Sequence, residues 1–487
     1  MKYNKEFILE RLKTIKPEGK KNNERENAQI FADCFQEYLR YNSTRKQWFL
    51  YTGTHWKIVS DEFISKIVMQ FFDTLLLYVP FIQDPMLHDA CLREWGKLGS
   101  TTTRKNLIND SKALLEITEN EFDQDNMLLN LRNCVLDFKD GEIKVLKHDS
   151  SLYLSKICNV TYDETADCPQ WKSFIENVMQ GDQEKIHYLQ KVLGYALTGL
   201  TEQETFWILY GATTRNGKST LIETISYLLG EEKGYSVNMN PETLAQKKKD
   251  SSRASGDIAR LKGARLVVCS EPPKRMLFDI ALVKTLLGRD TITARQLYQE
   301  EMQFKPDFKL IMNTNYLPVV QDNSLFTSGR VNVITFDKHF EPHEQDKKLK
   351  SKLRARKELS GILNWLLEGL EQYFIEGVEP PKPVEQATQE YRQDSDKVGQ
   401  FIAECLEPVK GVNSKVKDVY EVYMQWCDEN GYGTENKSNF TAELRTRNLI
   451  KASGKINGIS YKNIVAGYAV IDFQESDEGE KIFSKSN

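Results

Sequence analysis

No stretch of this chain approaches the ~20 consecutive apolar residues that a bilayer crossing requires, so no membrane span is expected. The opening MKYNKEFILERLKTIKPEGKKNNEREN contains no apolar signal region, and a soluble, cytoplasmic protein is expected. Cysteine occurs eight times but never as a Cys-x-x-Cys pair, which argues against a zinc ribbon and for reduced thiols in cores. The six histidines form no cluster with metal-ligand spacing, so a protein-ligated metal is not expected. Charge of one sign is also missing. The net value of −4 excludes a globally basic, histone-like binder, yet allows cations confined to a channel. No internal repeat is present, and 487 residues suffice for two to four domains.

What the chain does have is FWILYGATTRNGKSTLIETISYLLG at 206–230. Phe206 to Tyr210 form a short apolar run of strand length, and Leu221, Ile222, Ile225, Leu228 and Leu229 recur at helical spacing. Between them lies a phosphate-binding loop, Gly211, Ala212, Thr213, Thr214, Arg215, Asn216 and Gly217, leading into Lys218, Ser219 and Thr220. Backbone N–H groups of such a loop, backed by a helix dipole, hold phosphate oxygens. Lys218 would reach the β- and γ-phosphates, and Ser219 would bind Mg²⁺, so ATP and Mg²⁺ are the expected cofactors. Five residues separate the two glycines where four are usual, which leaves the cradle beginning at either Gly211 or Ala212.

Hydrolysis also needs a carboxylate that orients water and groups that sense the γ-phosphate. ARLVVCSEPP ends an apolar strand in Ser270-Glu271. Glu271 is therefore either the water-polarising acid, with Mg²⁺ held through water, or a turn cap before Pro272. FKLIMNTNYLP ends a second strand in Asn313-Thr314-Asn315, where an amide can donate to a phosphate oxygen or merely make a turn. Arg330, just before the strand VNVITF, can serve a neighbouring subunit's nucleotide as an arginine finger, or be a solvated surface group.

Elsewhere the pattern divides the chain. Residues 1–28 are polar and charged and expected to be flexible. Residues 29–120 are mostly helical around an aromatic hairpin-like QWFLYTGTHWKIV, and 127–160 alternate like strands about Asp140-Gly141. Helices are expected over 170–200, and alternating strands and helices over 201–375 imply a mostly parallel α/β sheet. The Pro- and Glu-rich 376–395 reads as a linker, 396–473 as a small separate domain, and 474–487 as a polar tail.

Taken in order, GATTRNGKST, SGDIARLKGARLVVCSEP, LLGRDTITAR and FKLIMNTNYLP resemble the superfamily 3 helicases. Within them the likeness is to the phage and plasmid primase–helicases related to the poxvirus primase–helicase, over about residues 45–395. The resemblance implies an AAA+-like P-loop NTPase core with a helical lid at 201–375, a mainly helical helicase-associated domain at 29–200, and a winged-helix-like domain at 396–473. It implies catalytic roles for Lys218, Glu271, Asn315 and the finger Arg330. It further implies a ring, usually a hexamer, moving 3′ to 5′ on single-stranded or forked DNA in the cytoplasm of a bacterial host. In that family ITARQLYQEEMQFKP would be a hairpin in the channel. Lys284, Arg295, Tyr298 and Lys305 are then candidate DNA contacts, although Arg295 and Lys305 can equally pair with Glu300 and Glu301. In the C-terminal domain Lys437, Arg445, Arg447 and Lys455 are candidates for phosphate contact. The region before residue 120 is short for a primase domain, so a separate primase is an expected partner. A helicase for phage or mobile-element replication leads; a DNA-binding initiator ATPase with little processive unwinding is the alternative.

Overall fold

The computed structural model describes residues 4–20, 23–118, 121–231, 234–246, 256–274, 276–295, 301–320, 324–475 and 481–484. The first unit contains α1 (Lys5–Ile15), α2 (Glu24–Phe35), the antiparallel meander β1 (Leu39–Asn42), β2 (Gln47–Tyr51) and β3 (Trp56–Val59), then α3 (Asp61–Tyr78), α4 (Pro85–Gly96) and α5 (Thr101–Leu114). The start, expected to be flexible, carries helix α1. Asn4 caps α1 by accepting from the Phe7 N–H, and Ile8 and Leu12, one turn apart, are fully buried in a core with Phe31, Phe35 and Phe71. Phe7, Leu9 and Ile15 pack partly buried against the same core, so apolar residues fall on more than one side of this short helix and its period does not stand out.

Among the described residues one helical stretch, Asp61–Phe81, is long and apolar enough by length and composition to cross a membrane, although charged and polar residues interrupt it. Its Ile64, Ile67, Val68, Phe71 and Leu75 are fully buried in this same core.

A small antiparallel sheet follows, β4 (Leu128–Asn130), β5 (Val135–Asp137) and β6 (Lys144–Leu146), with Asp140 and Gly141 at positive φ in the β5–β6 connection. Then come α6 (Pro169–Val178) and α7 (Gln183–Tyr195). These do not share the first unit's core. Trp171, Phe174, Leu189 and Leu193 pack with residues of the central sheet and its helices instead.

That central unit runs β7 (Phe206–Tyr210), α8 (Lys218–Leu229), β8 (Ser236–Met239), α9 (Gly256–Ala259), β9 (Leu266–Ser270), α10 (Ile280–Leu287), the hairpin β10 (Ile292–Arg295) and β11 (Glu301–Phe304), β12 (Lys309–Thr314), α11 (Ser324–Thr327) and β13 (Val331–Thr335). Five strands form a parallel sheet in the order β13-β7-β12-β9-β8. Alternation along each strand serves two cores. Trp207, Leu209, Val268, Ile311 and Ile334 face one, while Phe206, Ile208, Cys269, Met312 and Val333 face the other.

The first face is covered by α8, by α12 (Leu349–Leu353) and by the long α13 (Arg356–Glu376). Helices α7 and α13 cross at glycines: a Cβ on Gly194 would lie 2.4 Å from the Leu370 nitrogen, and one on Gly369 would lie 2.2 Å from the Gln190 carbonyl. The expected linker is largely α14 (Lys382–Ser395). Val384 and Tyr391 are buried, the Val333 N–H donates to Thr388 Oγ1 at 2.9 Å, and the Tyr391 hydroxyl donates to the Pro318 carbonyl at 2.6 Å. Helix α14 thus covers the open edge of β13 and satisfies one of its unpaired N–H groups.

The last unit has its own core and runs α15 (Lys397–Cys405), β14 (Leu406–Lys415), α16 (Val416–Glu429), α17 (Lys437–Thr446), β15 (Ile450–Ile456) and β16 (Ile459–Val470). Its sheet order is β14-β16-β15, all antiparallel. The polar tail contains a further backbone ladder, β17 (Asp472–Glu475) with β18 (Lys481–Ser484). All eight cysteines are buried and free, as expected from their spacing.

Candidate nucleotide-binding site

Three strands deliver the expected residues to one end of the parallel sheet. Asn313 is level with Leu209 on one side and Ser270 on the other, and the Glu271 N–H donates to the Asn313 carbonyl at 2.9 Å. The carboxyl ends of β7, β9 and β12 therefore meet where open α/β sheets collect ligands.

The loop after β7 absorbs its extra residue locally. Ala212 to Arg215 are exposed, Arg215 turns the chain at φ 58°, and the buried Asn216 folds back to donate from Nδ2 to the Thr213 carbonyl at 2.6 Å. Gly211 cannot be larger: a Cβ there would lie 2.2 Å from Asn216 Nδ2 and 2.9 Å from Lys218 Nζ. Gly217 caps α8 at φ 88°, with no side chain bonded to the first-turn N–H groups. Those donors face the loop, as a phosphate cradle requires. The segment after β13 braces the cradle, because the Phe340 N–H donates to the Arg215 carbonyl at 3.0 Å and His339 Nδ1 lies 2.8 Å from the Thr214 carbonyl.

Lys218 is buried, and its Nζ donates to Asn315 Oδ1 at 2.7 Å and to the Gly211 carbonyl at 3.3 Å. Burial pulls its ammonium down to about 8. Asn313 Nδ2 donates to Ser219 Oγ at 3.3 Å, so both asparagines of β12's end engage the first turn of α8. Ser270 and Glu271 are exposed, and Glu271 sits at φ 55°, a conformation costing a non-glycine residue ~1–3 kcal/mol. The donor chemistry fits a nucleotide-borne Mg²⁺. Ser219 supplies a hydroxyl at the cradle, and the described residues hold no cluster of three or more acidic, histidine or cysteine ligands that would bind a metal independently.

Beside the cradle opens a cavity of about 590 Å³ that the sequence reading missed, lined by Gln170, Phe174 and Asn177 of α6, by Arg215 and Gly217, and by Phe340 and Gln345. No motif marks these positions, because three remote segments meet there only in the fold.

Arg330 lies elsewhere. It precedes β13, whose first residue is level with Phe206, so it sits at the opposite end of the sheet from the loop and pairs with Glu204. Of the candidate DNA contacts, Lys284 donates to Ser324 Oγ, and Arg295 lies directly opposite Glu301 in the β10–β11 ladder. Lys305 is exposed just beyond β11, and Tyr298 falls outside the described residues. Lys437, Arg445 and Lys455 are exposed on the C-terminal unit. Arg447 is committed to a structural role instead, with its Nη atoms bidentate on Asp396 at 2.8 and 2.7 Å and Glu443 at 3.5 Å.

Comparison with known proteins places the chain among viral relatives. Residues 28–180 match the D5 N terminal like family, 209–330 match a family of unknown function, and 393–473 match the Poxvirus D5 protein-like family. The resemblance is to the poxvirus D5-like primase–helicases. A "putative helicase" of Acanthamoeba polyphaga mimivirus is 31% identical over 336 residues, which are 64% of this chain and 34% of that protein. A "putative helicase" of Frog virus 3 is 28% identical, over 47% of this chain and 25% of its own length. A "putative primase" of African swine fever virus is 19% identical, over 69% and 37%. The chain thus spans between a quarter and two fifths of the length of these relatives. They come from viruses of eukaryotes, so a bacterial host finds no support among them. Among solved structures, the apo NrS-1 C terminal region aligns over 88% of this chain and 95% of its own, at 11% identity and a TM-score of 0.47.

Proposed function

We propose that this chain is the ATP-driven motor of a ring-forming DNA helicase acting in replication. The contact that carries the reading is Lys218 Nζ on Asn315 Oδ1 at 2.7 Å, because it joins the phosphate-loop lysine to the end of the strand beside Glu271. A parallel sheet in which the phosphate-loop strand lies between β13 and the asparagine-bearing β12, with the Glu271 strand beyond, supports an AAA+-like core.

In this reading Lys218 and the first-turn N–H groups of α8 hold the β- and γ-phosphates of ATP, and Ser219 holds Mg²⁺, which supplies charge neutralisation when bound. Glu271 orients the attacking water, with its backbone fixed by the Asn313 carbonyl. Asn315 spends its carbonyl oxygen on Lys218, leaving its Nδ2 donors for a γ-phosphate oxygen. The nucleobase lies in the adjoining cavity, against Phe174 and Phe340. Arg330 serves the nucleotide of the next subunit in the ring. In the C-terminal unit, the order helix, strand, two helices and a two-stranded ribbon supports a winged helix. Its α17 would present Lys437 and Arg445 to DNA, with Lys455 on the ribbon.

Strand displacement on forked DNA with a single 3′ or 5′ tail tests the function. ATP-dependent unwinding of the 3′-tailed fork alone is the expected result. DNA-stimulated ATP hydrolysis without displacement of either fork would leave an initiator ATPase in its place.

A further inference from the structure

A groove of about 870 Å³ lies between the first unit and the central one, and none of its lining residues belongs to the phosphate loop. One wall carries Arg45, Phe49 and Ile58 from the β1–β3 meander. The other carries Arg260 and Lys262 from the turn after α9, together with Met302, Phe304 and Lys305 from β11 and its exit. Lys156 contributes a fifth cation to the lining, and two carboxyl groups, Asp123 and Asp307, oppose them.

The lining carries more cations than carboxyl groups. Asp123 is occupied internally, accepting from the Ser155 N–H at 2.8 Å and from the Ser155 hydroxyl. Asp307 is half-buried, and desolvation raises its carboxyl above the usual range. Lys156 contributes least of the cations, since its Nζ reaches toward the Gly234 carbonyl and burial lowers it. Arg260 and Lys305 are exposed at the rim. A chain of net charge −4 has therefore gathered cations on both walls of one channel. Ile58, 53% exposed, adds an apolar surface beside them. The groove also ends at the root of the β10–β11 hairpin.

We propose that this groove holds single-stranded DNA by its phosphates and leads the strand past the root of the hairpin. Cations on both walls suit a polyanion, and the exposed apolar side chain suits the bases or sugars of a single strand. The first unit is then part of the DNA track and not only a connector to the motor. The inference rests on the DNA-motor reading.

The test uses the full chain and labelled oligo(dT) and oligo(rU), with affinity measured across a salt series. In R45Q/R260Q/K262Q, oligo(dT) affinity is expected to fall at least tenfold near physiological salt. The slope of log K against log salt should flatten by about 2, since each lost single-strand phosphate contact removes about 0.7. DNA-independent ATP hydrolysis should be unchanged, which also reports folding. Without any variant, bound oligo(dT) should protect Lys262 and Lys305 of the wild-type protein from amine modification read by mass spectrometry. A folded variant with wild-type affinity and slope, or unprotected lysines under saturating oligo(dT), overturns the groove and leaves the motor standing. Wild-type protein that binds no oligo(dT) overturns both. Loss or protection confined to oligo(rU) overturns the assignment to DNA.

Discussion

Burial pulls the Lys218 ammonium down to about 8, and the acceptors within its reach are two neutral oxygens, Asn315 Oδ1 and the Gly211 carbonyl. Neutral acceptors stabilise an ammonium far less than phosphate does, so a bound triphosphate should raise the pKa again. The sign of the linkage follows. Above about pH 8 the free protein has lost this proton and the complex retains it, so binding takes up a proton and affinity falls as pH rises. Titrations of ATP from pH 7 to 9.5 should show affinity dropping toward tenfold per unit above 8. Calorimetry in two buffers of different ionisation enthalpy should register the proton uptake. In Lys218→Ala the slope should vanish, ATP turnover should be lost, and the melting temperature should be kept. A slope that persists in the alanine variant would assign the titration to another group. The free protein's stability has the same origin and the opposite sign. With the folded pKa depressed from 10.5 to about 8, this residue makes stability rise with pH across that window.

At the scale of elements, strong periodic signals were legible and weak ones were not. The β7–loop–α8 unit and the strands that lead to Glu271 and Asn315 fall where the residues predict, because each couples an apolar run to turn chemistry, while the β10–β11 hairpin follows what the family resemblance implies. Strand order was not legible, since nothing in VNVITF specifies pairing with FWILY. The edge strand β8, only Ser236–Met239, has too little apolar content to stand out. Helix α14 begins inside the Pro- and Glu-rich EGVEPPKPVEQATQ, whose composition suggests a linker, although Val384, Thr388 and Tyr391 lie on one face and dock on β13. Tertiary contact also explains why glycine is needed in the last turn of α7 and the interior of α13, where intrinsic propensity disfavours it. A side chain at Gly194 would meet Leu370 N at 2.4 Å and the Leu366 carbonyl at 2.5 Å, both rigid backbone. Gly194→Val should therefore force the helices apart and destabilise by at least ~3 kcal/mol, beyond the usual cost of overpacking a core. Chemical denaturation measures this, and a change below 1 kcal/mol would mean that the helices slide without penalty.

At the scale of the whole molecule, Arg330 separates a ring from a set of independent chains. Five strand residues lie between it and the loop end of the sheet, about 16 Å at the usual rise, so it cannot reach its own Lys218 site. Its pairing with Glu204 fixes the guanidinium at the far end of β7. If Arg330 completes the site of a neighbour, each interface needs Glu271 from one chain and Arg330 from another. Arg330→Ala and Glu271→Gln should each bind ATP yet hydrolyse at least about a thousandfold more slowly than wild type, the low end of the range attributed to finger arginines. Mixed in equal amounts, about a quarter of the head-to-tail interfaces combine an intact Glu271 with an intact Arg330, and activity should recover toward that fraction of wild type. Recovery should also require assembly, disappearing at concentrations where light scattering shows single chains. Independent chains would give a mixture as inactive as its components. Full activity in Arg330→Ala alone would reduce the arginine to a partner of Glu204 and take the ring's catalytic interface with it.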